Sequence, residues 1–399
     1  MNPNDLISQI KSLSKELAPE IIQIRRHLHM HPELSYLERE TSEYISKILD
    51  RAGIVHKTGF VETGILAKIS GQLEGQRIVA LRADLDALPI AEMNDKAYRS
   101  VKQGIMHACG HDAHCASLIG TAMILDKLKK TFGGTILLIF QPGEEKAPGG
   151  AKLMLKEGIF NDLKPDLILA QHVMPSMISG TAGFCSGTYM ASSDEIYMTI
   201  KGRGGHAAMP HQITDTVLAA SQIIVALQQV VSRNADPFSP TVLSFGKIRA
   251  DGAVNVIPSE VSVEGTFRTM NDQWRKEAHQ QMIKIAQSIA TGMGATCEFN
   301  IVEGYPVLYN DPEITDLSKE YACAFLNDHK VMDLEPRMTA EDFAFFAQQI
   351  PATFYRLGIA NAEKGISAEL HSPFFDIDED ALETGMGLMA YLAVRHLQG

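Results

Sequence analysis

Cysteine is scarce in this chain, with five residues (Cys109, Cys115, Cys185, Cys297 and Cys323) among 399. An odd and widely scattered set excludes a disulfide framework and predicts a reducing compartment. No apolar run approaches the roughly 20 residues that span a bilayer. The opening segment MNPNDLISQIKSLSKELAPE has no apolar stretch of signal-peptide length. A cytoplasmic protein without a membrane partner is therefore expected. Basic residues are outnumbered, 36 Lys and Arg against 48 Asp and Glu, for a net charge of −12. That balance argues against a nucleic-acid partner, whose recognition needs a basic surface. Low-complexity tracts and fixed-period repeats are also missing. With 45% hydrophobic and 21% charged residues the chain reads as globular.

A chain of this length exceeds a comfortable single core and suggests two domains. Residues 5–52 read as helices broken around His31-Pro32, because proline disfavours helix at the residue before it. Short β-rich runs follow at 64–69, 78–83, 135–141 and 167–170. A helix with apolar residues at helical spacing (Leu118, Ala122, Leu125, Leu128) covers about 111–130. Strands alternating with helices predict an α/β sheet covered on both faces. From about residue 194 the order becomes strand 195–200, helix 215–232, strands 242–248 and 261–268, helix 273–291 and strand 296–301. That βαββαβ order is ferredoxin-like. Segments 312–326, 343–349, 353–357 and 381–397 return to the mixed pattern. The reading is one α/β domain, residues 1–184 and 304–399, with a mixed sheet flanked by helices. It is interrupted by an inserted α/β domain, residues 185–303.

The densest chemistry lies in MHACGHDAHC, residues 106–115, where three histidines and two cysteines fall within ten residues. Cys109 and His111 stand at the start of the predicted helix, where exposed amides favour the thiolate that metals require. A Cys-His nucleophilic dyad is the alternative. QPGEE, residues 141–145, follows an apolar strand directly. Adjacent carboxylates there can divide the labour of hydrolysis, one binding a metal and one moving a proton. Asp84 and Asp86 end one predicted strand and His172 another, so three strands deliver metal-capable groups to one sheet edge.

HACGHD, QPGEEKAPGGA, AQHV, GRGGHAAMPH, VNVIP and a late LHSP resemble the aminoacylase and hippurate hydrolase family of metallohydrolases. N-acetyl-diaminopimelate deacetylases and amide-conjugate hydrolases belong to the same group. The likeness runs in the family's order from RRHLHMHPELS to the final HSP. It implies a catalytic α/β domain with an inserted lid that often mediates dimerisation. It also implies metal ligands at Cys109, His111, Glu145, His172 and His371, and a proton-transferring carboxylate at Glu144. With Cys109 and one water bridging, two divalent ions reach about four bonds each. Thiolate and imidazole favour zinc, and relatives use manganese or other ions such as cobalt. Relatives with a His-x-Asp ligand motif correspond to Asp84-Leu85-Asp86, which lacks that histidine. Asp84 and Asp86 are then orienting carboxylates behind the ligands, or simply strand-end caps.

One thiolate and one carboxylate against two divalent ions leave an excess of about +2, which attracts a substrate carboxylate. Arg268 is either the bidentate partner of that carboxylate or an exposed lid-edge arginine. His206, in a glycine-rich loop, could donate to a developing oxyanion, and Asn255 could assist binding; both could instead be turn residues. His27, His29 and His31 resemble a metal tract, yet the family does not use them, and His107 and His114 flank the ligands. The activity expected is metal-dependent hydrolysis of N-acyl amino acids by a homodimer or higher oligomer. The rivals are a dipeptidase, an N-carbamoyl-amino-acid hydrolase and a catalytically silent binder of amino-acid conjugates.

Overall fold

A computed structural model describes residues 2–398. The chain opens with α1 (Pro3–Met30) and α2 (Arg39–Arg51), followed by β1 (Val55–Phe60), β2 (Gly64–Ser70) and β3 (Leu73–Asp84). A long irregular loop then leads to α3 (His111–Leu128), β4 (Gly133–Gln141), α4 (Gly150–Lys156), β5 (Leu167–Ile178), β6 (Ala182–Phe184) and β7 (Gly187–Met190). Next come β8 (Asp194–Lys201), β9 (Gly205–His206), α5 (Thr216–Gln229), β10 (Thr241–Arg249), β11 (Val256–Ile257), β12 (Glu260–Thr269), α6 (Asp272–Gly292) and β13 (Thr296–Glu303). The chain closes with β14 (Leu308–Asn310), α7 (Pro312–Leu326), β15 (Val331–Asp333), α8 (Ala344–Ala347), β16 (Ala352–Ala360) and α9 (Ala381–Gln398).

The residues fall into two compact units. One comprises Met1–Gly187, Tyr309–Glu335 and Asp342–Gly399, and the other comprises Thr188–Leu308 and Pro336–Glu341. The second unit therefore starts and ends slightly later than residues 185–303 and gains a six-residue excursion. Nothing in the composition of Pro336–Glu341 signals that return.

In the first unit eight strands form one mixed sheet in the order β1-β2-β4-β3-β5-β16-β6-β15. The central four, β4, β3, β5 and β16, are mutually parallel. Val79, Leu81 and Ala83 of β3, Ile136, Leu138 and Phe140 of β4, and Leu167 and Leu169 of β5 form one cluster with the apolar faces of α1, α3 and α9. The intervening Ala80, Leu137, Ile139, Ile168 and Ala170 are buried as well. Burial on both faces is why these strands read as continuous apolar runs rather than alternating ones. α3 is buried on almost every side, which its lack of a polar stripe requires.

Register sets up the chemistry. Asp84 pairs with Gln141, and Arg82 pairs with Ala170, so two residues further along β5 His172 stands level with Asp84. His172 does not end its strand as expected; β5 continues to Ile178 with β16 alone as its partner there. The overhang arises because β3 stops at Asp84, and the strand's apolar pattern gives no hint of it.

In the second unit the sheet runs β10-β12-β8-β13, all antiparallel, the ferredoxin-like order. Alternate residues Ile196, Met198 and Ile200 of β8 face Ile223 and Leu227 of α5 and Met282 and Ala286 of α6 in one core. Asp215 and Asn271 cap the two helices by accepting backbone N–H groups of Leu218 and of Gln273 and Trp274. α5 stops earlier than the expected 232, passing into a π-helical turn at Val230–Asn234. Buried Asp194 accepts from Arg275 and from His279, and these donors hold its carboxyl below the usual range although burial opposes them.

Candidate metal centre

The HACGHD segment reaches the sheet edge through the irregular loop between β3 and α3. Gly110 caps α3 with φ 83°, a conformation that favours glycine, and thereby reverses the chain between Cys109 and His111. Both side chains are buried. Gly143, also at positive φ, turns the chain after β4 and presents Glu144 and Glu145. His371 arrives from a distant loop whose backbone N–H donates to the Ala108 carbonyl at 2.8 Å. Its φ is 62°, left-handed for a residue with a Cβ, a strained conformation of the kind found where side-chain direction matters.

The donor atoms converge. Those of Cys109, His111 and His172 lie within 4.8 Å of one another, as do those of Cys109, Glu145 and His371, and those of His111, Glu144 and Glu145. Cys109 is common to the first two groups, so its sulfur stands between two sets of donors. Cys109 Sγ and His172 Nε2 are 3.6 Å apart. Bonds of about 2.3 Å from sulfur and 2.0 Å from nitrogen at a tetrahedral angle would set them at roughly that separation. His111 Nε2 and Glu145 Oε1 are 3.9 Å apart and shielded from water; neither makes a hydrogen bond among the described residues, though charged neighbours lie near, with His371 Nε2 3.3 Å from Glu145 Oε1. Buried polar atoms left this way are costly unless something else engages them. The donor set therefore fits a pair of borderline-soft divalent ions.

Carboxylates behind these groups fix their directions. Asp86, fully buried, accepts the Glu144 N–H at 3.1 Å and the Glu145 N–H at 2.9 Å. Its backbone carbonyl lies 2.9 Å from His111 Nδ1, which puts the proton on Nδ1 and leaves the lone pair on Nε2. His172 Nδ1 is likewise 2.8 Å from the Val173 carbonyl. His114 is different. Its Nδ1 faces Asp84 Oδ1 at 2.6 Å and its Nε2 accepts the Val173 N–H at 2.9 Å, so both nitrogens are used and it orients rather than ligates. Asp84 Oδ2 accepts from Arg82 at 2.7 Å.

The electrostatics of the donor set suit a cation. Burial works against a charged His111, but Asp84 and Cys109 outweigh it and hold the imidazole well above its usual range. Contacts with Cys109 and Glu145 raise His371 to about 10. Burial and Glu145 push the Cys109 thiol up, despite His111 beside it. The expected thiolate is thus not supplied by the helix terminus, because Cys109 lies two residues before α3 and is sealed from water. Protons gather where divalent ions would otherwise bring positive charge, and metal binding would displace them.

His206, Asn255 and Arg268 all belong to the second unit. His206 and Asn255 come together on the β9–β11 ribbon, where the Ala207 N–H donates to the Asn255 carbonyl at 2.9 Å. Both side chains are exposed. Arg268 lies in β12 opposite Val242; its Nη1 is buried without a hydrogen bond among the described residues, and burial lowers its pKa. The histidines of α1 and the residue following it act elsewhere. His29 Nδ1 is 2.8 Å from Asp112, and His27 stacks on Tyr44 at 3.9 Å.

Three contributors were not singled out from sequence as a group. Arg82 donates to Gln141 and Asp342 as well as to Asp84, and Gln141 donates to Asp342 at 2.8 Å. Asp342 also accepts the Ala151 N–H at the start of α4. A signal for this network existed, since an arginine inside the apolar strand IVALRAD must find buried partners.

Residues 80–395 match peptidase family M20/M25/M40, and the chain belongs to that family. It is 39% identical to thermostable carboxypeptidase 2 of Saccharolobus solfataricus over 98% of this chain and 99% of that one. It is 39% identical to N-acetyl-L-cysteine deacetylase of Bacillus subtilis over 92% of this chain and 85% of that one. The crystal structure of a Bacillus subtilis protein described as a dinuclear metal binding peptidase of the M20 family superposes with TM-score 0.82. That chain is 35% identical, with 96% of this chain and 99% of that one covered.

Asp86 should act on metal through geometry alone. Asp86→Ala is expected to weaken metal binding by roughly 10–100-fold, measured by competition with a chromophoric chelator. Unchanged affinity would show that the turn and His111 hold their directions without it.

Proposed function

We propose that this chain is a dinuclear metal-dependent amidohydrolase that cleaves N-acyl amino acids into a carboxylic acid and an amino acid. The observation that carries the proposal is the convergence of Cys109, His111, Glu145, His172 and His371 around the buried Cys109 sulfur, with Glu144 beside them. Those five side chains would hold two divalent ions, Cys109 serving both, His111 and His172 one, and Glu145 and His371 the other. Zinc suits thiolate and imidazole best, and manganese or cobalt are the alternatives. Bound there, the ions would supply Lewis acidity and lower the pKa of a bound water.

The chain's own residues carry the remaining steps. Glu144 takes the proton of the attacking water and returns it to the nitrogen of the departing amine. Asp86 holds the Glu144 amide and so limits the directions its carboxylate samples. Asp84 and Asp86 serve as orienting groups. His206 is assigned to the developing oxyanion, Asn255 to binding, and Arg268 to the substrate carboxylate. The buried Nη1 of Arg268, without a hydrogen bond among the described residues, and the shared ribbon of His206 and Asn255 support these roles.

A carboxypeptidase reading is favoured by the 39% identity to the Saccharolobus enzyme. It differs only in the acyl group, since both reactions release an amino acid with a free carboxylate. N-acetyl and N-benzoyl amino acids assayed against N-blocked dipeptides, with Zn2+, Mn2+ or Co2+, separate the two. Binding without turnover on every substrate would favour a silent binder instead. The absence of disulfides among the described residues supports a reducing, cytoplasmic setting. We further assign homodimerisation to the second unit. α5 carries no charged residue from Thr216 to Gln229, yet Leu218 and Val225 are exposed, and Val242 and Ile248 are exposed on the edge strand β10.

Glu144→Gln is expected to keep both metals and lose about three orders of magnitude in kcat, whereas Cys109→Ala should lose metal. Near-normal turnover in the first variant removes the assigned proton carrier; full metal occupancy in the second removes the central ligand. Val225→Glu should lower the mass found by light scattering to that of one chain, and an unaltered dimer would place the interface elsewhere.

A further inference from the structure

The segment that follows α1, His31-Pro32-Glu33-Leu34-Ser35-Tyr36, and Glu38 just beyond it take no part in the donor set. The structure nevertheless fastens this segment to the turn that bears Glu144 and Glu145. Glu38, fully buried, accepts the Gly143 N–H at 2.8 Å and the Tyr36 N–H at 2.9 Å on one oxygen, and the Thr63 hydroxyl at 2.9 Å on the other. The Tyr36 hydroxyl donates to the Lys146 carbonyl at 2.7 Å and accepts the Gly149 N–H at 3.2 Å. Ser35 donates at 2.6 Å to Asp86, the same carboxylate that accepts the Glu144 and Glu145 amides. The Tyr36 ring lies so close that a Cβ on Gly143 would meet it at 2.3 Å. Tyr36 itself adopts φ 67°, a strained backbone in a residue whose hydroxyl bridges both limbs of the turn.

We propose that Ser35, Tyr36 and Glu38 form a strap that sets the direction of the Glu144 carboxylate, with Tyr36 and Glu38 as positioning residues for proton transfer. The inference rests on the assignment of Glu144 as proton carrier. Gly143 is tied by Glu38, Glu144 and Glu145 by Asp86, and Lys146 and Gly149 by Tyr36, so nearly every residue of the turn has an anchor in this strap or in the Asp86 it holds. Burial and the nearby Asp86 push the Glu38 carboxyl up to about 7. A carboxyl in so unfavourable a place is retained for its donors, three of which converge on its two oxygens. Losing the Gly143 anchor would let the turn drift, and misplacement of a catalytic group by about 1 Å lowers turnover on the order of a hundredfold.

The test compares Tyr36→Phe, Glu38→Ala and Glu38→Gln in the full chain. Backbone hydrogen exchange of residues 142–150 is read on metal-stripped protein, and kcat, KM and bound metal are read on N-acetyl-methionine. Exchange at the turn should rise about tenfold in Tyr36→Phe and Glu38→Ala as local protection is lost. Turnover should fall about tenfold and a hundredfold respectively, with KM within twofold and both metals bound. Glu38→Gln keeps an oxygen for the Gly143 and Tyr36 amides and should recover most of that loss. Unchanged exchange and turnover in Tyr36→Phe, which removes a single oxygen and should still fold, would overturn the strap. So would a Glu38→Gln no better than Glu38→Ala, or a kcat loss that tracks lost metal. If the wild-type chain hydrolyses no amide, the functional reading fails, whereas the exchange measurement still decides whether the strap holds the turn.

Discussion

The arrangement of this site depends on one buried carboxylate. Asp86 lies in an irregular loop, shielded from water, and is held by donors from three separate stretches of chain: the Ser35 hydroxyl, and the Glu144 and Glu145 amides with the His111 ring close by. A buried anion is tolerated only when its lone pairs are occupied. Each donor brings a piece of chemistry with it. The adjacent glutamates keep their turn, and His111 presents Nε2 towards Cys109 and Glu145. Remove the anion, and the loops carrying these groups have no common reference.

Asp84 solves a neighbouring problem differently. Its charge is countered by the Arg82 guanidinium and its other oxygen faces the neutral His114 ring, while Arg82 also reaches Gln141 and Asp342. That network forms a hydrogen-bonded floor at the end of the parallel strands. Above it lie the Cys109 thiol, pushed up by burial and Glu145, and the His111 and His371 imidazoles, which Cys109 and neighbouring carboxylates raise. Protein groups satisfy the lower layer and metal ions suit the upper one. The same scaffold therefore holds rigid polar groups and reactive ones a few ångströms apart, which is the preorganisation that hydrolysis of an amide demands.

Much of this was legible in the sequence, for identifiable reasons. The parallel strands announced themselves as apolar runs, the βαββαβ order gave the second unit's sheet, and short motifs located Cys109, His111, Glu144 and Glu145. What sequence could not supply was register and long-range contact. Whether His172 stands level with Asp84 depends on how β5 pairs with β3, and either residue alone is silent about it. His371 joins the group through a backbone bond to Ala108, some 260 residues earlier, in a left-handed conformation that no propensity predicts. Glu38 and Tyr36 carry no sequence signal because most of their partners are backbone groups of the Glu144 turn. The Pro336–Glu341 excursion was missed for a similar reason, since crossing between units leaves no compositional mark.

The central claim is that two cations sit around the Cys109 sulfur. Anomalous diffraction from crystals grown with Zn2+ or Mn2+ tests it most directly. Two peaks are predicted, one bonded to His111 and His172, the other to Glu145 and His371, with Cys109 bonded to both. A lone peak, or ions bound through His114 while Cys109 stays uncoordinated, would contradict the account.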